Sequence, residues 1–382
     1  DMKVFDLETD EHLFTASEQG EGQESVLAMI DKLAERTRKD LQEKAAEIDK
    51  RNRRVAEMTT VDLDAYQHYF KGSELFYKFR FPEARQAFQQ ALAIDSTFGL
   101  AHYMLAFTYA MQDEPDRLVV AQGMQAAKYI DGIPEKEKYL VRAGAAAVSD
   151  TFSNAGFLKG IEILQEMRKI YPDDKGLIWT LGNFYLRIEA FSEAEEFLRD
   201  ALERIPGYIP ARYLLGQSLY GQEKYTEAEA IFRAIMQQDP GNLFHFERLG
   251  WSLYRQKKYT EAEKVFRRVF DNEQVSADSR RRALNGLAYS LHLQGRNAEA
   301  VPFFRQSLAM NPNQVDIINS LGWAFYSQNK FTEAEAVFAN GSALDSQFVY
   351  THAGIEPSYV NIFKTSMRKR NWQRAQAWQS HR

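Results

Sequence analysis

The chain has 382 residues, 45% of them hydrophobic and 26% charged, an ordinary balance for a folded protein. A formal net charge of −5 argues against a nucleic-acid scaffold, which would carry a basic stripe. The absence of cysteine excludes disulfides, thiolate metal sites and cysteine nucleophiles, and no apolar run approaches the ~20 residues that a bilayer-spanning helix needs. With Asp1 at its start and no signal peptide, the sequence reads as a fragment or a processed product.

The first expected element is a β-hairpin over residues 3–16. Lys3-Val4-Phe5-Asp6-Leu7 and His12-Leu13-Phe14-Thr15 alternate about the polar turn Glu8-Thr9-Asp10-Glu11. A lone hairpin is marginal in water, so it should belong to a larger sheet or pack on the helix after it. Residues 23–54 are expected to form that helix, a long one, with Val26, Ile30, Leu33, Leu41 and Ile48 on one stripe and mixed charge elsewhere.

From residue 65 onward a small residue returns at a fixed interval. Gly72, Ala106, Gly144, Gly182, Gly216, Gly250, Ala288 and Gly322 lie 34 or 38 residues apart. Twelve residues after six of them comes an alanine: Ala84, Ala194, Ala228, Ala262, Ala300 and Ala334. Four further on comes a large apolar residue: Phe88, Leu198, Phe232, Phe266, Phe304 or Phe338. Small residues on both members of a helix pair permit close approach, the large one fills the gap to the next pair, and Pro172, Pro206, Pro240 and Pro312 end units. Thr226, Thr260 and Thr332 in the recurring Tyr/Phe-Thr-Glu-Ala-Glu motif should cap the second helices, with the motif's acids in the favourable first turn. Two units depart from the pattern. Residues 99–136 lack the alanine and have a longer turn, and residues 137–174 lengthen the turn near Ser149–Asn154 and place Gly160 on the second helix. Four extra residues near Val275–Ser279 should lengthen a connection between units.

These units resemble tetratricopeptide repeats (TPR), best over residues 209–242 and across about three quarters of the chain. The resemblance implies an all-α, right-handed superhelical solenoid of about eight helix-turn-helix repeats. It divides the chain into residues 1–58, the array 59–348, and a basic terminal segment 349–382. The order strand, turn, strand, acidic helix, then Asp64-Ala65-Tyr66 up to Gly72, is also similar to the end of the TolB-like module that precedes such arrays in bacterial signalling proteins. So are Phe79-Arg80-Phe81-Pro82-Glu83-Ala84 and Ala93-Ile94-Asp95-Ser96-Thr97-Phe98.

Enzyme signatures are not evident. No two of the seven histidines have the three- or four-residue spacing of a helical metal pair, and Gly20-Glu21-Gly22 lacks the lysine of a phosphate loop. The expectation is a non-enzyme without cofactor or metal.

In tetratricopeptide arrays the first helices line a concave face. The register places Trp179, Asn183, Leu186, Tyr213, Gln217, Tyr220, Phe244, Glu247, Trp251, Tyr254, Asn285, Tyr289, His292, Asn319, Trp323 and Tyr326 there. Leu181, Leu215, Leu249, Leu287 and Leu321 already supply the interior, so the aromatics and amides suit an extended peptide or a partner helix. A shortage of lysine and arginine on that face speaks against a strongly acidic ligand. After Glu356 the chain has only basic charges, with Trp372 and Trp378. This segment reads as a capping helix first and as a membrane-surface helix second. The expected function is a protein- or peptide-binding scaffold or sensory module within a larger bacterial signalling protein, cytoplasmic unless an upstream membrane anchor places it in the periplasm. The alternative is the regulatory region of an upstream serine/threonine kinase or adenylate cyclase. Self-association through the basic end is a third reading.

Overall fold

The structure is a computed structural model that describes residues 2–5, 12–16, 32, 60 and 62–344, apart from 113, 150–152, 240–241, 243, 273–274 and 276. Apart from Lys32, the expected helix over 23–54 lies outside the described residues, as do the terminal segment 349–382, the boundaries at 58/59 and 348/349, and Pro240. At the N-terminal end, β1 (Met2–Phe5) and β2 (His12–Ala16) pair antiparallel, with Met2 opposite Ala16 and Val4 opposite Phe14.

The rest of the described chain is helical, as the period implies. In chain order the helices are α1 (Leu63–Tyr77), α2 (Phe81–Ile94), α3 (Gly99–Met111), α4 (Asp116–Lys128), α5 (Glu135–Ser149), α6 (Asn154–Ile170), α7 (Lys175–Arg187) and α8 (Phe191–Arg204). They continue with α9 (Ile209–Gly221), α10 (Tyr225–Gln238), α11 (Phe244–Arg255), α12 (Tyr259–Phe270), α13 (Ala277–Leu293), α14 (Asn297–Met310), α15 (Val315–Ser327) and α16 (Phe331–Leu344). The chain forms two compact units, residues 1–223 and 224–382, whose boundary falls in the turn between α9 and α10. Within each unit, helices consecutive in the chain pack against one another as hairpins.

Packing follows the small-residue register. Ala84, Ala194, Ala228, Ala262 and Ala300 are fully buried, and so are Phe88, Leu198, Phe232, Phe266 and Phe304. In the second unit the Phe266 ring lies between two first helices. A Cβ added to Gly250 on α11 would stand 2.6 Å from that ring, and one added to Gly286 on α13 would stand 2.4 Å away. No larger residue fits at either place without moving the ring. Leu181, Leu215, Leu249, Leu287 and Leu321 are buried as expected. The helices α6, α8 and α14 end within two residues of Pro172, Pro206 and Pro312.

A second period is carried by the backbone. Phe79, Glu189, Glu223, Lys257 and Asn329 all have φ between 57° and 62°, and Gly295 has φ 78°. Each stands in the turn that ends a first helix. There the chain reverses through paired hydrogen bonds such as Lys257 N–H to Tyr254 O (2.9 Å) and Lys258 N–H to Leu253 O (3.0 Å). Five of the six sites carry a side chain in the left-handed region, a cost of roughly 1–2 kcal/mol each relative to a right-handed conformation.

The expected threonine caps are corrected. The residues before α10 and α12 are Lys224 and Lys258, with no side-chain cap, and Thr226, Thr260 and Thr332 sit one residue inside their helices. The Thr226 and Thr260 hydroxyls donate instead to Gln256 Oε1 (3.2 Å) and Gln294 Oε1 (3.4 Å), each at the end of the next first helix. The motif's acids divide. Glu227, Glu261 and Glu333 occupy first turns, whereas Glu229 and Glu263 are buried. Gln256 Nε2 donates to Glu229 (2.7 Å) and Lys258 Nζ to the same oxygen (2.8 Å); Gln294 Nε2 (3.0 Å) and Arg296 (2.7 Å) do the same for Glu263. In the first unit Gln222 donates to Glu195 (2.7 Å). Each of these clamps joins a second helix to the end of the next repeat's first helix. At the first junction the charges are reversed, with Arg85 in the acid's place paired to Glu114. The four residues expected to lengthen the connection before α13 are taken up largely by that helix, which runs for 17 residues against 13 in α15.

Candidate functional site

The expected binding face splits by register position, and the row that holds Trp179 and Tyr213 in the first unit holds Glu247, Asn285 and Asn319 in the second. In the first, Trp179 on α7 and Tyr213 on α9 are each 3% exposed. Their rings are covered by the first hairpin. Phe76 lies edge-on to Trp179 at 5.5 Å, Phe79 lies 5.7 Å from Trp179 and 4.9 Å from Tyr213, and Phe81 packs on both phenylalanines at 5.3 and 5.9 Å. The left-handed turn at Phe79 projects its ring from the hairpin tip, which explains why a residue of no obvious use in its own repeat is buried. The expectation that Trp179 and Tyr213 line an open face is therefore corrected: they are core. Nearby, Tyr103 bonds the Thr180 hydroxyl (2.9 Å), and Tyr77 lies 6.4 Å from Tyr208. Burial raises the phenols of Tyr77, Tyr103 and Tyr208 above their ordinary value, so all remain protonated. The half-buried Asn183 uses Nδ2 on the Trp179 carbonyl (2.8 Å), and Gln217 and Tyr220 are half-buried. Repeat register alone does not single out Phe76, Phe79 and Phe81, although three phenylalanines within six residues exceed what one helix pair needs.

In the second unit the first helices keep their aromatics partly open. Trp251, Tyr254, Tyr289, Trp323 and Tyr326 are all half-buried. Trp251 meets Tyr254 at 5.5 Å and Tyr289 at 6.2 Å, and Tyr254 meets Tyr289 at 6.2 Å, giving three rings across α11 and α13. Trp323 and Tyr326 repeat the edge-on pair at 5.5 Å on α15. Trp251 rests on Phe266 (5.2 Å) and Trp323 on Phe338 (5.6 Å), so each indole has one face against the core.

The polar residues expected on this face are mostly committed to the fold. Asn319 is 4% exposed, and Glu247, 7% exposed, accepts from Arg282 Nε at 2.8 Å. Asn285 donates to Gln314 Oε1 (3.0 Å) and accepts from the Ser307 hydroxyl. Tyr289 donates its hydroxyl to Asp316 Oδ2 (2.8 Å); burial first, and the Asp316 charge second, raise its phenol above the ordinary value. His292 is half-buried against Asn297. The two amides Asn285 and Asn319 are thus supports behind the rings, and the rings are what the face offers. Among the described residues no group of three or more His, Asp or Glu side chains is placed to hold a metal ion, and no helix is long and apolar enough to cross a membrane.

No curated protein matches the chain. Among solved structures it is similar to a tetratricopeptide repeat protein from Parabacteroides merdae ATCC 43184, at 14% identity over 69% of this chain and all of that one, with a TM-score of 0.44. It is similar to MamA from Desulfovibrio magneticus RS-1, at 18% identity over 45% of this chain and 94% of that one, TM-score 0.41. YrrB, described as a TPR protein with an unusual peptide-binding site, shares 18% identity over 49% of this chain and 94% of its own, TM-score 0.40. Two family models, both described as tetratricopeptide repeat, match the sequence itself, one over residues 247–315 and the other over 189–249 and 291–348. With the recurring small residues, the large buried residue of each helix pair and these two matches together, residues 189–348 are an array of tetratricopeptide repeats.

Proposed function

We propose that the chain is a non-enzymatic interaction module that holds an extended peptide or a partner helix on the second unit, along Trp251, Tyr254, Tyr289, Trp323 and Tyr326. The observation that carries this reading is the contrast between the units. The register positions that hold Asn183, Leu186, Gln217 and Tyr220 in the first unit hold Trp251, Tyr254, Tyr289, Trp323 and Tyr326, all half-buried, in the second. Aromatic side chains supply much contact area for few rotors, and rings fixed by the core lose little entropy on binding. The test is capture from a native extract by the full chain and by a Tyr254→Ala/Tyr326→Ala variant whose helical circular dichroism matches the parent. Loss of the captured protein supports the reading; equal capture by the variant ends it.

The setting we propose is the sensory or scaffolding part of a larger bacterial signalling protein. Its support is the similarity of the paired strands and of residues 79–98 to the TolB-like module. A regulatory region attached to an upstream serine/threonine kinase or adenylate cyclase rests on the same similarity, and the full reading frame separates the two.

A further inference from the structure

The first unit contains a cavity where six other second helices bury a large side chain. Six second helices bury a three-residue stripe whose middle member is Phe88, Leu198, Phe232, Phe266, Phe304 or Phe338. On α12 the stripe is Ala262, Phe266 and Val269; on α4 the residues buried at the same spacing are Val119, Gly123 and Ala126. The register is shifted because four residues, 112–115, join α3 to α4, where three join α1 to α2 and α11 to α12. Gly123 therefore stands where the ring belongs. A Cβ there would meet only Val148, at 3.3 and 3.7 Å.

The consequence is a partly open apolar cavity of about 60 Å³ between α3, α4, α5, α6 and α7. Its walls include Ala106, Ala110, Gly123, Gly144, Ala145 and Phe157, so small residues from three helices border it together. At roughly 10–15 Å³ for each water-sized group, it takes about four to six methylene-sized groups. Arg187 is the charged residue of its lining, and Asn183 stands one helical turn before it on α7. Arg187 is exposed and makes no ion pair among the described residues. Asn183 spends one amide proton on the Trp179 carbonyl and keeps the other. An apolar slot with a forked cation at its mouth is complementary to a monoanionic amphiphile.

We propose that this cavity is a binding site for a short aliphatic carboxylate, with four to six carbons in the slot and the carboxylate on Arg187. The site is independent of the peptide face, which lies on the other unit. Isothermal titration of the full chain with hexanoate, hexan-1-ol and acetate tests it. Hexanoate is expected to bind saturably at one equivalent, hexan-1-ol at least about tenfold more weakly, and acetate, which has no chain to bury, without saturation. Ala145→Leu fills the slot and should abolish hexanoate binding with thermal unfolding unchanged. Arg187→Gln, an exposed substitution that leaves the core intact, should reduce hexanoate to the affinity of hexan-1-ol, and it decides the matter if Ala145→Leu does not fold. Absence of saturable hexanoate binding, or full affinity in Arg187→Gln, overturns the proposal.

Discussion

Gln256 Nε2 reaches the Glu229 carboxylate at 2.7 Å, joining the second helix of one repeat to the end of the next repeat's first helix. Lys258 and Arg233 complete the clamp at 2.8 and 2.7 Å. Burial alone would raise the Glu229 carboxyl, but hydrogen bonds from Lys258, Arg233 and Gln256 outweigh it and hold the pKa below the ordinary carboxylate value. Glu229→Ala removes the acceptor shared by the partly exposed Gln256, Lys258 and Arg233 and should cost about 0.5–1.5 kcal/mol in urea unfolding of the chain. A double change with Gln256→Ala should cost less than the sum of the two, because the second loss removes a partner already gone.

The left-handed turns predict substitutions that stabilise. Lys257 holds φ 62°, so Lys257→Gly relieves a conformational cost and should gain up to about 1 kcal/mol, whereas Gly295→Ala at φ 78° should lose about as much. Paired unfolding curves on the two variants check both signs; a loss in Lys257→Gly would mean that the lysine's stem contributes more packing than its backbone costs.

Gly286→Ala should destabilise by about 1–3 kcal/mol, since its methyl would stand 2.4 Å from the Phe266 ring. Phe266→Leu, costly alone, should be less costly in that background. A double-mutant cycle on the melting temperature reports the coupling.

His245 sets an acid limit of its own. It is fully buried, and burial lowers its pKa from 6.5 to about 4. A depressed histidine contributes stability that is complete above its unfolded pKa and is lost as pH falls through 6.5 towards 4, reaching about 3 kcal/mol below both values. Burial also lowers His292, so the decisive measurement is the difference between the chain and His245→Leu. The variant's stability should fall less between pH 6.5 and 4. The clamp carboxylates, held below their ordinary 4.5, contribute stability that is complete above that value and is lost as pH falls below it.

Much of this architecture is legible in the residues. The glycine, alanine and phenylalanine periods reveal the helix pairs because only side-chain size matters at those places, and size is written directly in the sequence. The left-handed turns are not legible, since Phe79, Glu189, Glu223, Lys257 and Asn329 have no residue type in common and tertiary packing imposes the conformation. The division of the acidic motif is hidden because Glu227 and Glu229 are chemically identical, and only the neighbouring repeat decides which one is buried. The binding face is half legible. Helical register puts Trp179 and Trp251 on the first-helix face, one turn apart within the repeat, but it does not show that Phe79, a hundred residues before Trp179, closes over it.

The reversed pair Arg85–Glu114 limits how such an array can be rearranged. The segments carrying Glu195, Glu229 and Glu263 present an acid to an incoming Gln222, Gln256 or Gln294, so they are mutually compatible cassettes that duplication or unequal exchange could lengthen or shorten. The leading segment presents Arg85 instead and accepts only a successor with an acid at the place of Glu114. Placed ahead of Lys258, it would bring two cations together. Among the described residues the helix pairs therefore include one junction of reversed charge, Arg85–Glu114, beside the three recurring glutamine–glutamate clamps.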